Sequence, residues 1–240
     1  MAVCAQDRGC TSVKRVAFVA MLLLAACAGL LSACAGGPMP PTWQTQSHAA
    51  VEAYTRHYLE GDTRRAEWEL AEARAAVAAT GSPQLAARVE LVRCALATAA
   101  LDFAACAQFD AAQSDASADD LAYRAFLGGN WRDRDMSALP AQYRAVIAAG
   151  DEAGRNKFMQ QIQDPVSRLV AAGALFGRAQ LSPEGLDSAI DTASAQGYRR
   201  PLLAYLNVQA SKAQSSGDAA ALALIRKRIE LVYRSLPAAR

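Results

Sequence analysis

From Thr42 onward, apolar residues recur at spacings of three and four, which places them on one face of an α-helix. No stretch of four or more residues shows convincing alternation with β-branched enrichment. Five apolar stripes illustrate the pattern: Ala66–Leu70–Ala73–Val77, Leu85–Val89–Val92–Leu96, Val166–Leu169–Gly173–Phe176, Leu203–Leu206–Ala210–Ala213 and Leu222–Ile225–Ile229–Val232. This periodicity, in an alanine-rich chain with 52% hydrophobic residues, predicts an all-α fold.

Capping signals indicate where these helices begin and end. A capping side chain precedes proline at Ser82-Pro83, Asp164-Pro165 and Ser182-Pro183. A glycine stop is followed at once by the next cap at Gly61-Asp62, Gly150-Asp151 and Gly217-Asp218. Such short links favour antiparallel neighbours. We therefore predict eleven helices, at 44–60, 63–79, 83–100, 103–111, 118–128, 138–149, 152–163, 165–179, 183–196, 201–215 and 219–235.

One stretch, from Tyr58 to Ala73, resembles part of a tetratricopeptide repeat. Gly61-Asp62 followed by Ala66 and Leu70 is similar to the turn and second helix of that repeat. Against this, the three Gly-Asp turns are unevenly spaced, and the Trp-Leu-Gly-Tyr pattern of the first repeat helix is absent. The resemblance implies a tetratricopeptide-like α-solenoid built from helical hairpins, and an irregular helical bundle is the alternative.

The N-terminal segment has the pattern of an export signal. Arg8, Lys14 and Arg15 stand against one acid, Asp7, and an uncharged, predominantly apolar run follows over residues 16–31. A basic region followed by an apolar one is typical of a secretory signal peptide. The run is shorter than the roughly 20 residues of a membrane-spanning helix, so a cleaved signal fits better than a permanent anchor.

Residues 31–34, Leu-Ser-Ala-Cys, resemble the lipobox at which bacterial lipoproteins are cleaved and acylated. Residues 24–27, Leu-Ala-Ala-Cys, fit the same pattern, but cleavage there would leave an apolar terminus. The resemblance implies a signal peptide over 1–33, lipidation of Cys34, a flexible tether over 34–42 and a helical domain over 43–240. Ala35, where an aspartate would retain the protein, implies the outer membrane of a Gram-negative bacterium, with the helical domain facing the periplasm.

Two cysteines, Cys94 and Cys106, remain outside the N-terminal segment. An even pair in an exported protein suggests a disulfide. Asp102 is expected to cap the short helix that follows a turn, which would put the two cysteines opposite each other in a hairpin. Two separate buried thiols are the alternative. A metal site is not expected, because no histidine lies nearby.

Candidate chemistry is sparse elsewhere. Glu67 and Glu69 flank Trp68 on a helix rich in arginine, which favours solvated ion pairs over a catalytic carboxylate. An acidic cluster around Asp120 is explained by the start of a helix. No cofactor motif is present. Beyond residue 33, acidic and basic side chains are equal in number, which argues against nucleic-acid binding.

The segment Trp131-Arg132-Asp133-Arg134-Asp135 combines an aromatic residue with arginines, a composition found at binding hot spots. Trp131, Arg132 and Arg134 are therefore candidate binding residues, although the alternating charges fit a solvated loop equally well. These features favour a lipid-anchored interaction or scaffolding protein with a protein or peptide partner and no enzyme activity. The alternatives are a peptidoglycan-acting enzyme that uses a buried carboxylate, and a structural lipoprotein without a discrete ligand.

Overall fold

The computed structural model describes residues 39–132 and 135–237, and the predictions for Cys34, Cys27, the signal peptide and most of the tether lie outside these ranges. The described part contains eleven α-helices and no strand, so the all-α prediction is confirmed. The helices are α1 (Thr42–Glu60), α2 (Thr63–Ala78), α3 (Pro83–Ala99), α4 (Ala107–Ala112), α5 (Ala118–Leu127), α6 (Ala141–Ala148), α7 (Glu152–Gln161), α8 (Pro165–Gly177), α9 (Pro183–Gln196), α10 (Arg199–Ser215) and α11 (Ala219–Arg234). Among the residues described, no helix is both long and apolar enough to span a membrane.

The predicted caps explain the starts of six of the eleven described helices. The side chains of Ser82, Asp164 and Ser182 each accept a hydrogen bond from the backbone N–H three residues later, as expected. The three aspartates that follow the Gly-Asp turns do the same, at Asp62, Asp151 and Asp218. Each cap satisfies a backbone donor that the first helical turn leaves without a partner.

Several predicted boundaries differ from the structure by two or more residues, and three of the differences are instructive. The helix expected over 103–111 is a 3₁₀ turn at Phe103–Cys106 that leads into α4, and the Asp102 side chain makes no capping hydrogen bond. The helix expected from residue 138 begins only after Pro140, as α6. The helix expected to open at Pro201 begins at Arg199, because the missing N–H of proline is tolerated anywhere in the first turn.

Two clusters of buried side chains form the core of the body over Thr42–Arg240. The smaller cluster joins α1, α2 and one side of α3, with Tyr54 and Leu70 among its fully buried members. The larger cluster extends from the other side of α3 to α11 and includes Phe126, Leu169 and Tyr205. Helix α3 serves both clusters because most of its circumference is buried.

A close crossing joins α3 to α8, although other helices separate them along the chain. At the crossing, Gly173 faces the backbone of Thr98: a methyl group in place of its hydrogen would lie 2.0 Å from the Thr98 carbonyl oxygen. Only a residue without a side chain allows this approach. Alanines surround the glycine on α8, at Ala171, Ala172 and Ala174, and all three are buried.

The first and last parts of the helical body are also in contact. Arg200 donates to the Tyr58 carbonyl oxygen at 2.8 Å, and its guanidinium lies 4.3 Å from the centre of the Tyr58 ring. Arg199 donates to the carbonyl oxygen of Glu60 at 3.1 Å. These arginines therefore connect α10 to the end of α1.

The helices thus make two kinds of contact. Successive helices pack against each other, for example α1 with α2, α2 with α3 and α9 with α10. Helices far apart in the chain also pack, as α3 does with α8 and α1 with α10. In a linear solenoid each repeat contacts only its neighbours. The tetratricopeptide-like arrangement therefore stays a prediction. The first three helices are the part of the chain that agrees with it best, because they pack in succession.

Candidate functional site

Cys94 and Cys106 form a disulfide, in agreement with the expected pairing. The chain reverses between them at Leu101, which takes a left-handed φ of 62°. The Asp102 N–H donates back to the Ala97 carbonyl oxygen at 2.9 Å, which closes the end of α3. The Cα atoms of the two cysteines are 4.5 Å apart, and both side chains are buried. The disulfide is therefore a structural element that fixes the segment after α3 against that helix.

Trp131 is a core residue and not an exposed anchor, which corrects its assignment as a binding residue. Its side chain is 8% exposed, and its ring centre lies 5.7 Å from that of Phe126. The Arg178 guanidinium covers it at 5.3 Å. Arg132 is exposed and its binding role stays a prediction, whereas Arg134 lies outside the described residues.

The carboxylates do not form a catalytic arrangement in the described ranges. Glu67 and Glu72 are exposed and Glu69 is half-buried. Asp120 is the one buried carboxylate there. Burial would raise its pKa, but hydrogen bonds from the Arg88 guanidinium and from Ser117 outweigh that effect and hold the pKa below its usual range. Asp120 is thus held ionised in a helix cap, the opposite of a general acid.

The structure does contain an apolar groove between α1 and α3, with a volume of about 360 Å³. Its apolar lining combines Trp43 and Val51 of α1, Val77 of α2, and Leu85, Val89 and Val92 of α3. Polar groups of Gln44, Ser47, His48 and Arg88 also line it. Arg88 is already paired with Asp120 at 3.0 Å, and His48 lies 3.6 Å from Glu52, so the groove offers little free charge. An apolar surface with a few polar groups is typical of a peptide or small-molecule site.

A second groove, of about 620 Å³, lies between α1 and α2. Alanines of both helices form most of its lining, and Trp43 and Trp68 are its aromatic residues. Glu69 and Glu72 are the charged residues in its lining. Trp43 lines both grooves, so the beginning of α1 lies between the two concave surfaces.

Sequence reasoning does not find these grooves, although one signal for them is present. Trp68 lies off the apolar stripe that Ala66 and Leu70 begin, so the helical pattern already directs its indole away from the core. The structure leaves 60% of Trp68 exposed. A large aromatic side chain on the solvent side of a helix is a stronger binding signal than an aromatic residue in an irregular loop, because the loop residue is free to fold inward.

In comparisons with known proteins, no protein family, no curated protein and no solved structure matches the chain. In the described residues, no group of three or more histidine, cysteine, aspartate or glutamate side chains is arranged to hold a metal ion. The geometry of the two grooves is therefore the basis for a functional proposal.

Proposed function

We propose that this protein is a lipid-anchored interaction protein of the outer membrane of a Gram-negative bacterium. In this proposal its helical domain faces the periplasm, and the groove between α1 and α3 binds an apolar peptide segment of a partner protein. The observation that carries the proposal is the groove itself, which is lined by apolar side chains from three helices and opens beside Trp43, the second residue of the first helix.

The chemistry of the lining favours an apolar segment over a charged one. Burying one valine- or leucine-sized side chain contributes about 1.5–3 kcal/mol. Two or three such side chains from a partner would contribute about 3–9 kcal/mol, which the cost of association largely offsets, so we expect a weak, transient complex. The amide of Gln44 and the hydroxyl of Ser47 supply hydrogen bonds for the polar backbone of the segment. Charged residues would gain little, because Arg88 is already neutralised by Asp120.

The tetratricopeptide-like arrangement enters this proposal at the first three helices. Helices α1, α2 and α3 pack in succession, and α1 and α3 present a common concave surface. Such surfaces are where helical-repeat proteins bind their ligands. The resemblance at Tyr58–Ala73 covers the middle of this three-helix unit.

The proposed lipid anchor limits how far from the membrane surface the partner segment can lie. Seven residues lie between Cys34 and Thr42, and the eight Cα–Cα steps from one to the other span at most about 28 Å. If Cys34 is acylated, the beginning of the first helix, where the groove opens beside Trp43, remains within that distance of the lipid headgroups. The proposal therefore concerns a segment close to the membrane surface.

The anchor is tested by acyl labelling in cells. Cys34→Ala should accumulate the uncleaved precursor and lose the label, whereas Cys27→Ala, the matched control, should be processed and labelled normally. Labelling that persists in Cys34→Ala and disappears in Cys27→Ala would reassign the site. Labelling that persists in both variants would refute Cys34 as the acylated residue, and a wild-type chain that takes up no label would refute the lipoprotein assignment.

The groove is tested by photocrosslinking from position 44, an exposed residue at its edge. Val51→Gln places a polar amide in the lining and should reduce the adduct strongly. Val208→Gln makes the same change at a half-buried valine of α10, outside the groove, and should leave the adduct unchanged. The crosslinked peptide of the partner should be apolar. An adduct that Val51→Gln does not affect, or no reproducible adduct, would refute the assignment of this groove.

A further inference from the structure

Helix α11 has an unusual outer face. Leu224 and Leu231, seven residues apart, are 63% and 66% exposed, and Lys227 lies between them on the same side of the helix. The core side of α11 is formed instead by residues such as Ile225 and Ile229. Two leucines that flank a lysine on an uncovered face form a short amphipathic stripe, which we call the α11 stripe.

The groove between α1 and α2 has the complementary chemistry. Its two carboxylates, Glu69 and Glu72, have no ion-pair partner among the described residues, and no basic side chain lines the groove. Lys227 of the α11 stripe has no ion-pair partner in the described ranges either. A lysine beside Glu72 would gain a charge pair, and the face of the exposed Trp68 ring would add a cation–π contact.

The dimensions of the two surfaces agree as well. Trp68 and Ala79 mark the extent of the groove along α2, which corresponds to about 16 Å of helix. Leu224 and Leu231 are about 10 Å apart along α11, so both fit between these limits. The groove lining is mostly alanine, and small side chains allow a docked helix to approach closely.

We propose that the α11 stripe of one molecule docks into the α1–α2 groove of a second copy, with Lys227 beside Glu69 and Glu72 and with the two leucines against alanine and tryptophan. The two surfaces are different patches of the same chain, so the contact is head-to-tail, and a pair of molecules still has one free stripe and one free groove for further copies. The product is a row of molecules. This contact does not require the lipid anchor, and it leaves the α1–α3 groove open to its own ligand.

The test uses the full chain in the cell that exports it, carried as two copies with different epitope tags. A photocrosslinking residue replaces Leu224 in one copy. The expected product has twice the mass of the chain, contains both tags, and yields a crosslinked peptide from α1 or α2. Tyr233 is the matched control position, because it is 55% exposed but lies on the other side of α11, and it should give no such product.

Charge reversal tests the contact itself. Lys227→Glu in the crosslinking copy should lower the yield about tenfold or more, since like charges then meet. Glu72→Lys in the other copy should do the same, and combining the two reversals should restore most of the yield. Both positions are exposed, and an intact disulfide in each variant confirms folding.

Three results would overturn the proposal: a Leu224 product no stronger than that at Tyr233, adducts with a different protein only, or single reversals that lower the yield without recovery in the combined pair. The Cys34→Ala chain, purified in detergent, should form the same product because neither surface includes the lipid. Self-association and lipid anchoring therefore succeed or fail separately.

Discussion

Replacing Gly173 with alanine tests the crossing of α3 and α8, where an added methyl group would have less room than at any other described glycine. The added methyl group would lie 2.0 Å from the carbonyl oxygen of Thr98 and 2.7 Å from its carbonyl carbon. Both are backbone atoms, so no side-chain rotation relieves the overlap. To bring the oxygen contact to a tolerable distance, α3 and α8 must separate by about 1 Å or more.

The expected cost follows from two opposing effects. Overpacking a well-packed core typically costs about 1–3 kcal/mol, and the upper part of that range applies here because two helix backbones must move. Replacing glycine with alanine inside a helix raises the free energy of unfolding by about 1 kcal/mol, because alanine has the higher helix propensity. The net loss is about 2 kcal/mol. With a urea m-value of about 2.5 kcal/mol/M for a domain of this size, the unfolding midpoint should fall by about 0.8 M.

The measurement is urea unfolding followed by far-ultraviolet circular dichroism, with the disulfide oxidised and the chain beginning at residue 35. Gly177→Ala is the matched control, because it makes the same change at the end of the same helix. There the methyl group would meet only the ring of Phe103, at 3.2 Å, and that ring is partly exposed and able to move. Gly177→Ala should leave the free energy of unfolding unchanged or raise it by up to about 1 kcal/mol. Equal midpoints for the two variants would refute the close crossing.

Three further predictions concern single groups. Tyr54→Phe should raise the free energy of unfolding by about 1 kcal/mol, because the buried Tyr54 hydroxyl has no hydrogen-bond partner among the described residues. Tyr205→Phe should lower the free energy of unfolding by a similar amount, because the Tyr205 hydroxyl donates to the Leu169 carbonyl oxygen at 3.2 Å. Thermal unfolding of both variants measures the two changes. The lowered pKa of Asp120 adds stability that is present above about pH 4 and is lost as the pH falls through its folded-state value, so Asp120→Asn should flatten the acid limb of a stability-versus-pH curve. Joint replacement of Cys94 and Cys106 by serine should cost about 3 kcal/mol in urea unfolding, and no change would refute the bridge.

How far the sequence predicts this molecule depends on how local each feature is. Helix starts such as Ser82 and Asp164 are predictable because the cap and the donor it satisfies lie three residues apart. The crossing of α3 and α8 is not, because a glycine on an apolar stripe gives no sign of which distant backbone it will meet. The same limit explains Trp131: composition does not distinguish an indole covered by Arg178 in the core from an exposed one.

The grooves depend on tertiary packing in the same way. Val77 of α2 and the apolar groove residues of α3 belong to regular apolar stripes, so their sequence pattern is that of core residues. They line a groove because the third helix leaves part of its stripe uncovered beside α1. Trp68 is the exception, since its position on the polar side of α2 is visible in the sequence alone.

The bonds from Arg199 and Arg200 to the end of α1 have a consequence for the order in which the protein folds. They join atoms that are 139 and 142 residues apart in the chain. When a ribosome or a translocation channel delivers the chain from its N-terminus, α1 and α2 emerge first and complete their hairpin early, because their contacts are local. The end of that hairpin lacks its contacts with Arg199 and Arg200 until α10 follows. The segment delivered late therefore closes the element delivered first.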